Sequence, residues 1–399
     1  MAIYLDHGAS SPLRPEAADA IRRGLELTGN PSSVHGHGQA ALRALEDARE
    51  GIARNLGCDP IEVVLTSGGT ESANLAILGA FEARQKPVAR PRIVSPLIEH
   101  HATLDPIAHL QATRGATLTP VSVNHDGVVD VAALREALGD GEDVALVAVS
   151  LVNAEVGTVQ PVREIVEAAR AVSVPVFVDA VAALGHIPVS AREIGADLLA
   201  VSAHKIGGPV GAGALVVARG ATLSPQMHGG GHQRGLRSGT MDVLSASAFA
   251  AAAHAACEPE ALALEQRRLQ ELSMRLIEGL EQIDGVTLRG PRPDAVLVDA
   301  GVKVPARSPG SVHVTVDGCQ GDSLLLMLDM AGISVSTGSA CRAGVQEPSH
   351  VLMAMGLSEK EALGALRMTL GWNSTEADID ALLQALPPAI ERARAAGLS

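Results

Sequence analysis

The sequence predicts an α/β protein with a large lobe, whose mostly parallel sheet lies between helices, and a smaller α+β lobe. Three observations carry this. From about residue 57 to residue 218, short apolar runs alternate with segments of helical period, the pattern of repeated strand–helix units. Runs such as Val144 to Ser150 are apolar almost throughout, as strands buried on both faces must be. After Thr240 the alternation stops, and long helical patterns are followed by short strands. A chain of 399 residues exceeds one comfortable core, so two lobes are expected: 13–244, and 1–12 joined with 245–399.

Taken in order, Ile3-Tyr-Leu-Asp is an extended start, and Pro12 and Pro15 lead into a helical pattern near 15–27. Gly29-Asn-Pro-Ser-Ser forms a loop before a long amphipathic segment, about 39–56, that ends at Gly57. Val63-Val-Leu-Thr is a strand running into Ser67-Gly-Gly-Thr70 and an Ala/Leu helix. Strands follow at 92–95, 118–123, 144–150, 174–179, 197–202 and 213–218, with helices after His100-His101 and at 131–138 and 162–172. The second region reads as helices 243–257 and 260–282, strands 294–299 and 311–316, and a helix 321–331. Strands 333–336 and 365–370 and a helix from about 376 close the chain. Gly301-Val-Lys-Val-Pro-Ala-Arg-Ser-Pro-Gly reads as a surface loop, and the N-terminal segment is expected to complete the small lobe.

Bulk composition narrows the function. Hydrophobic content of 47% with 19% charged residues is globular. A net charge of −14 argues against nucleic-acid or anionic-membrane partners, and 1% aromatics leaves no surface on which bases could stack. No apolar run reaches membrane-spanning length, and the start lacks a signal peptide's basic and apolar regions. Cysteines at 58, 257, 319 and 341 show neither metal-ligand spacing nor a disulfide framework. A cytoplasmic protein with reduced thiols and no metal is expected. Cys257, at the end of an Ala-rich helix, is expected to be a buried thiol.

Chemistry centres on Lys205, one of only four lysines. It alone stands at a strand end, among Ser, His and Gly, where irregular backbone approaches a ligand. Lys86, Lys303 and Lys360 lie in linker or polar-helix settings. Desolvation there would lower its pKa and make it a Schiff-base candidate. Gly69 and Thr70, at the start of a helix, offer donors for a phosphate, and Ser202 and His204 flank the lysine. Asp179 ends its strand, and His100 could present a flat ring. A lysine, a carboxylate for a ring nitrogen, a phosphate cradle and a stacking ring are what pyridoxal 5'-phosphate requires.

The motifs then carry a resemblance. Tyr4-Leu-Asp-His, Gly29-Asn-Pro-Ser-Ser, Thr66-Ser-Gly-Gly-Thr-Glu-Ser and Glu99-His-His occur in order. Ser202-Ala-His-Lys-Ile-Gly-Gly-Pro, His228-Gly-Gly-Gly-His-Gln-Arg, Arg237-Ser-Gly-Thr, Ser336-Thr-Gly-Ser-Ala-Cys-Arg-Ala-Gly and Leu366-Arg-Met-Thr-Leu-Gly follow. Nearly end to end, the chain resembles cysteine desulfurases of the NifS/IscS type, in the class V aminotransferase group of fold-type I enzymes that depend on pyridoxal phosphate. The resemblance implies that Lys205 holds the cofactor, His100 stacks on it and handles protons, and Asp179 binds its ring nitrogen. It implies a phosphate site of Gly69, Thr70, Ser202 and His204, with Thr240 from a partner subunit and hence a homodimer. Arg367 would bind the substrate carboxylate, with Asn153 and Asn30 also at the substrate. Alternation of Leu366, Met368 and Leu370 against Arg367 and Thr369 lets the arginine face a pocket. Cys341, in a small-residue loop beside Arg342, would take sulfur from L-cysteine as a persulfide, leaving alanine, and pass it to an acceptor protein. That acceptor could be an iron–sulfur scaffold, a tRNA-thiolation protein or a biosynthetic carrier. Loop spacing through Glu347-Pro-Ser-His resembles the IscS-like subgroup.

Two positions depart from the family's pattern: Ala154 and Ala182 stand where amides are usual. Each lost hydrogen bond to a charged group costs roughly 1.5–3 kcal/mol unless water replaces it. Two other readings therefore stay open: a related lyase or aminotransferase acting on another amino acid, and a weakly active paralogue serving as partner or scaffold.

Overall fold

The computed structural model describes residues 2–337 and 347–395. Its centre is a seven-stranded sheet in the order 63–66, 213–217, 198–202, 176–179, 144–150, 92–96, 117–121. Only Gly213–Val217 runs antiparallel to its neighbours. The other pairings are parallel. Every residue of Val144–Ser150 is buried, because helices cover both faces. On one face Ala145, Leu146 and Ala148 meet Leu75, Ile77, Ile107 and Leu110. On the other, Val147 and Val149 join a core that includes Leu45, Ile52, Leu134, Ile165 and Phe249. Both faces of this strand are thus apolar for a packing reason, as the sequence pattern required.

The smaller lobe holds an antiparallel sheet in the order 365–369, 311–316, 286–289. Leu366, Met368, Val312 and Val314 of this sheet pack with Leu276, Leu324, Ile379 and Leu386 of the helices 259–280, 321–330 and 376–395. The N-terminal segment completes this lobe, with Ile3–Tyr4 pairing in parallel with Ile333–Ser334. The helix Val243–Cys257, at whose start the sequence reading divides the chain, buries Ala246, Phe249 and Ala252 in the large-lobe core. Among the described residues no helix is long and apolar enough to cross a membrane.

Two readings need correction. Val302–Pro305 is not loop; it is a strand paired antiparallel with Val296–Asp299. The turn between them carries positive φ at Ala300 (49°) and Gly301 (79°), and Ala-Gly is not the Asn-Gly pair that advertises such a turn. Val286–Arg289 is a further strand, half-buried at a sheet edge, that periodicity does not predict. Cys257 is half-buried as a residue, but its thiol is desolvated at the edge of the large-lobe core, and burial pushes it up to about 12, as expected of a buried thiol. Cys319 is also a buried residue, its Sγ 3.9 Å from the Ile390 carbonyl in the small-lobe core.

The hairpin earns its place through Asp299, which is buried. Its two carboxylate oxygens accept from the backbone N–H groups of Arg163 (3.2 Å) and Glu164 (2.9 Å) at the start of the helix Val162–Ala171. A distant carboxylate thus caps a helix whose preceding residue, Pro161, makes no side-chain cap. Asp299→Ala is expected to lower unfolding free energy by about 1–2 kcal/mol in denaturant titration, with Asp299→Asn losing less.

Candidate active site

In a parallel sheet the strands' carboxyl ends share one edge, and the turns leaving it converge. Thr66, Ser150, Asp179 and Ser202 end their strands there, with Asp179 paired to both Ser150 and Ala200. Gly69, Thr70, His100, Asn153, Asp179, His204, Lys205 and Arg367 all line one cavity of about 470 Å³. The structure therefore gathers most of the residues singled out from the sequence.

Lys205 follows the strand Leu198–Ser202 in a short 3-10 turn that Gly207 closes at φ 79°. Burial, with the Arg367 cation nearby, pushes its amine down to about 8, against the pull of Asp179 and Asp6. About one amine in ten is then neutral at pH 7, against a negligible fraction for a solvated lysine. Burial raises the Asp179 carboxyl above its usual range, opposed by the Val181 N–H at 2.9 Å and by Lys205. A cation placed against Asp179 would return it to the charged form.

His100 caps the helix His101–Arg114, its Nδ1 accepting the Ala102 N–H at 3.0 Å. That bond fixes the neutral tautomer with the proton on Nε2. Burial and the neighbouring Lys205 push the ring down to about 4, so it is uncharged at neutral pH. At the phosphate end, Gly68 has φ 149°, and a Cβ on Gly69 would lie 2.6 Å from Val181 Cγ2. Gly68 is thus called for by its positive φ, a Cβ there meeting open space, and Gly69 by the lack of room beside Val181. Ser202 Oγ is buried behind this turn with no protein partner.

Arg367 reaches in from the small lobe. Its Nη1 donates to the Ala154 carbonyl and its Nη2 to Asp6 Oδ1, both at 3.1 Å, while Nε is buried without a partner. Leu366 and Met368 point the other way into the small-lobe core.

Besides Ser202, which is sealed behind the cavity wall, two expected residues do not face this cavity. Asn30 is exposed and spends its Oδ1 on the Ser32 N–H at 2.9 Å, a local turn bond that holds it at the surface of its own chain. Thr240, also exposed, lines a different pocket beside Ser67 and Arg237. Asn153 lines the cavity, but mainly as scaffold. Its Oδ1 accepts from Glu155 and Val156, and its Nδ2 donates to the Ile98 carbonyl. Cys341 lies outside the described residues. Ser336 and Glu347, which flank its segment, both line the cavity. Ser349 Oγ donates to Glu155 at 2.5 Å, and His350 Nε2 lies 2.9 Å from the Glu99 carbonyl, fixing the segment's return.

Sequence reasoning gave no role to Asp6, Glu99 or His186, although the first two stand in motifs it singled out. Glu99 is fully buried. Ser150 Oγ donates to its Oε1 at 3.2 Å, and Oε2 has no partner. Burial, with Asp179 adding to it, pushes its carboxyl up to about 8.

This arrangement defines a site for an amine-reactive cofactor bearing an anion and a basic ring nitrogen, on a fold of the aminotransferase class. The class V aminotransferase family profile matches residues 3–382. An IscS-like cysteine desulfurase of Mycobacterium tuberculosis is 46% identical, covering 99% of this chain and 98% of its own. The cysteine desulfurase IscS of Dictyoglomus turgidum is 38% identical, covering 98% and 95%. Among solved structures, a NifS-like protein superposes with TM-score 0.88 at 32% identity, covering 98% of this chain and 100% of its own. One titled SspA in complex with cysteine gives 0.76 at 29%, covering 92% and 98%. The chain belongs to the class V aminotransferases, and within them to the cysteine desulfurases of the NifS/IscS type.

Pyridoxal 5'-phosphate is the cofactor of that family, and the residues present fit it. The cavity offers a buried lysine, a buried carboxylate, a neutral ring and a glycine turn, and the strand that leads to the lysine ends in the orphaned Ser202 hydroxyl.

Glu99 gives a prediction for the cofactor-free protein. Its folded value is raised, so between about 4.5 and 8 the native state holds a proton that the unfolded chain has lost. Its contribution to stability therefore falls as pH rises through that window, by at most about 1.4 kcal/mol per pH unit, while the buried histidines, held below their ordinary value, add stability as pH rises to about 6.5. Denaturant unfolding from about pH 6.5 to 8, above the histidine range, is expected to show the Glu99 decline, and Glu99→Gln is expected to flatten it.

Proposed function

We propose that the protein is a cysteine desulfurase that uses pyridoxal 5'-phosphate to take sulfur from L-cysteine and hold it as a persulfide on Cys341. The observation that carries this reading is the convergence of Lys205, Asp179, His100 and Arg367 on one cavity whose wall includes both flanks of the Cys341 segment. When bound, the cofactor supplies an electron sink that weakens bonds at the substrate's α-carbon.

The chain's own residues do the rest. The depressed Lys205 amine supplies the nucleophile that anchors the cofactor and is then free to move a proton. Asp179 holds the protonated ring nitrogen, and His100 covers the ring with an uncharged face and an Nε2–H donor. Gly69, Thr70, Ser202 and His204 take the phosphate, together with Thr240 from a second subunit. An exposed Thr240 apart from its own chain's cavity supports that homodimer. Arg367, steadied by Asp6, receives the substrate carboxylate through its planar fork. Asn153 shapes the wall where the substrate lies. The Cys341 thiolate then bonds to the substrate's sulfur while the carbon–sulfur bond breaks. The released electron pair and a proton go to carbon, leaving alanine and an enzyme S–SH.

We further assign residues 13–244 to the large lobe and 1–12 with 245–399 to the small one, although the helix Val243–Cys257, just past that division, packs in the large-lobe core. Delivery to an acceptor protein in the cytoplasm completes the reading. Retention of the whole anchoring set supports catalysis over a scaffold role.

Two results test it. Cys341→Ala is expected to keep the cofactor's visible absorbance yet lose sulfide and alanine release from L-cysteine by at least about 100-fold. Arg367→Ala is expected to lower kcat/KM roughly 10- to 150-fold, the worth of charge-assisted bonds to a carboxylate. Turnover indifferent to Cys341 would refute the persulfide step.

A further inference from the structure

A second, smaller chamber of about 40 Å³ adjoins the main cavity. The two share Gly8, Val152, Asn153, Ala154, Ala182 and Lys205, so the two alanines stand on the boundary between them. The far wall carries His186, Ser311 and Thr369. His186 Nδ1 is buried, and no protein group bonds it. A buried ring nitrogen left so costs about 1–3 kcal/mol, which a native structure rarely bears without recovering it.

The chamber is large enough for one or two water molecules, each of which needs about 10–15 Å³ and two to four polar partners. Those partners are present: the His186 nitrogen, the Lys205 amine, and the hydroxyls of Ser311 and Thr369. Thr369 Oγ1 already accepts the Gly8 N–H at 2.6 Å, which leaves its hydroxyl hydrogen to donate. Burial and the cations of Lys205 and Arg14 hold the imidazole neutral, and a neutral ring with its proton on Nε2 offers Nδ1 as an acceptor. An amide at 182 in place of the methyl would reach into the same space.

We propose that Ala182 and His186 together build a buried water site beneath Lys205. The water donates to His186 Nδ1, contacts the Lys205 amine, and supplies the hydrogen bond that a longer amide at 182 would otherwise make. His186 is then a positioning residue: it acts on the cofactor lysine through the water. This rests on Lys205 being the residue that holds the cofactor.

The test pairs crystallography with cofactor rebinding. In the cofactor-loaded protein, a density peak is expected within about 2.7–3.2 Å of His186 Nδ1, and it should vanish in Ala182→Gln, whose side chain fills the chamber. The dissociation constant for pyridoxal phosphate, titrated into cofactor-free protein, is expected to rise about tenfold in His186→Ala. In the Ala182→Gln background the same change should cost less than about twofold. His186→Gln, which keeps an acceptor, should recover most of the loss, while His186→Leu, of similar volume but without an acceptor, should not. A dry chamber, or equal losses in both backgrounds, overturns the proposal. Failure to release sulfur from cysteine would refute the proposed activity while leaving the water site standing.

Discussion

The structure turns on keeping one lysine out of water. A buried ammonium is costly, and Lys205 answers by giving up its proton more readily, down to about 8, while Asp179 and Asp6 limit the cost. Arg367 works the other way, since a second cation facing the same cavity favours the neutral amine. A reactive amine at neutral pH follows from that balance. The carboxylates have their own burial to bear, and Glu99, deeper still, meets it by remaining protonated.

The architecture exists to hold that balance in place. Parallel strands bring Ser150 and Asp179 to one edge in register, with Ser202 two residues beyond Asp179's partner Ala200, and the antiparallel strand Gly213–Val217 closes against it. Gly213 is required there, because a Cβ would lie 2.6 Å from the Gly68 Cα in the facing turn. The small lobe then contributes what the sheet cannot. Its strand Ala365–Thr369 aims Arg367 at the cavity, while the N-terminal segment brings Asp6 to meet the guanidinium. One cavity thus draws on three distant parts of the chain.

Much of this was legible from residues alone, where the signal is local. Strands buried on both faces announce themselves as apolar runs, and the alternation in Leu366–Leu370 separates Arg367 from its core-facing neighbours. Strand ends followed by glycine mark where a ligand sits. Cross-chain partnerships left no such mark. Nothing near Asp6 names Arg367, nothing near Asp299 names a helix 136 residues earlier, and the Ala300-Gly301 turn lacks the usual turn chemistry. Asn30 shows the converse: its motif points to the site, while within its own chain its side chain serves a local turn. The paired alanines at 154 and 182 looked like losses in sequence. In the structure they border a chamber faced by an unbonded His186 nitrogen.

The central claim is that the fold singles out Lys205 among four lysines to carry the cofactor. Borohydride reduction of the cofactor-loaded protein, followed by peptide mass mapping, tests it most directly. The account predicts a phosphopyridoxyl adduct on the peptide containing Lys205 and none on those containing Lys86, Lys303 or Lys360. An adduct on any of those three in place of Lys205, or an unmodified Lys205 in protein shown to hold the cofactor, would contradict it.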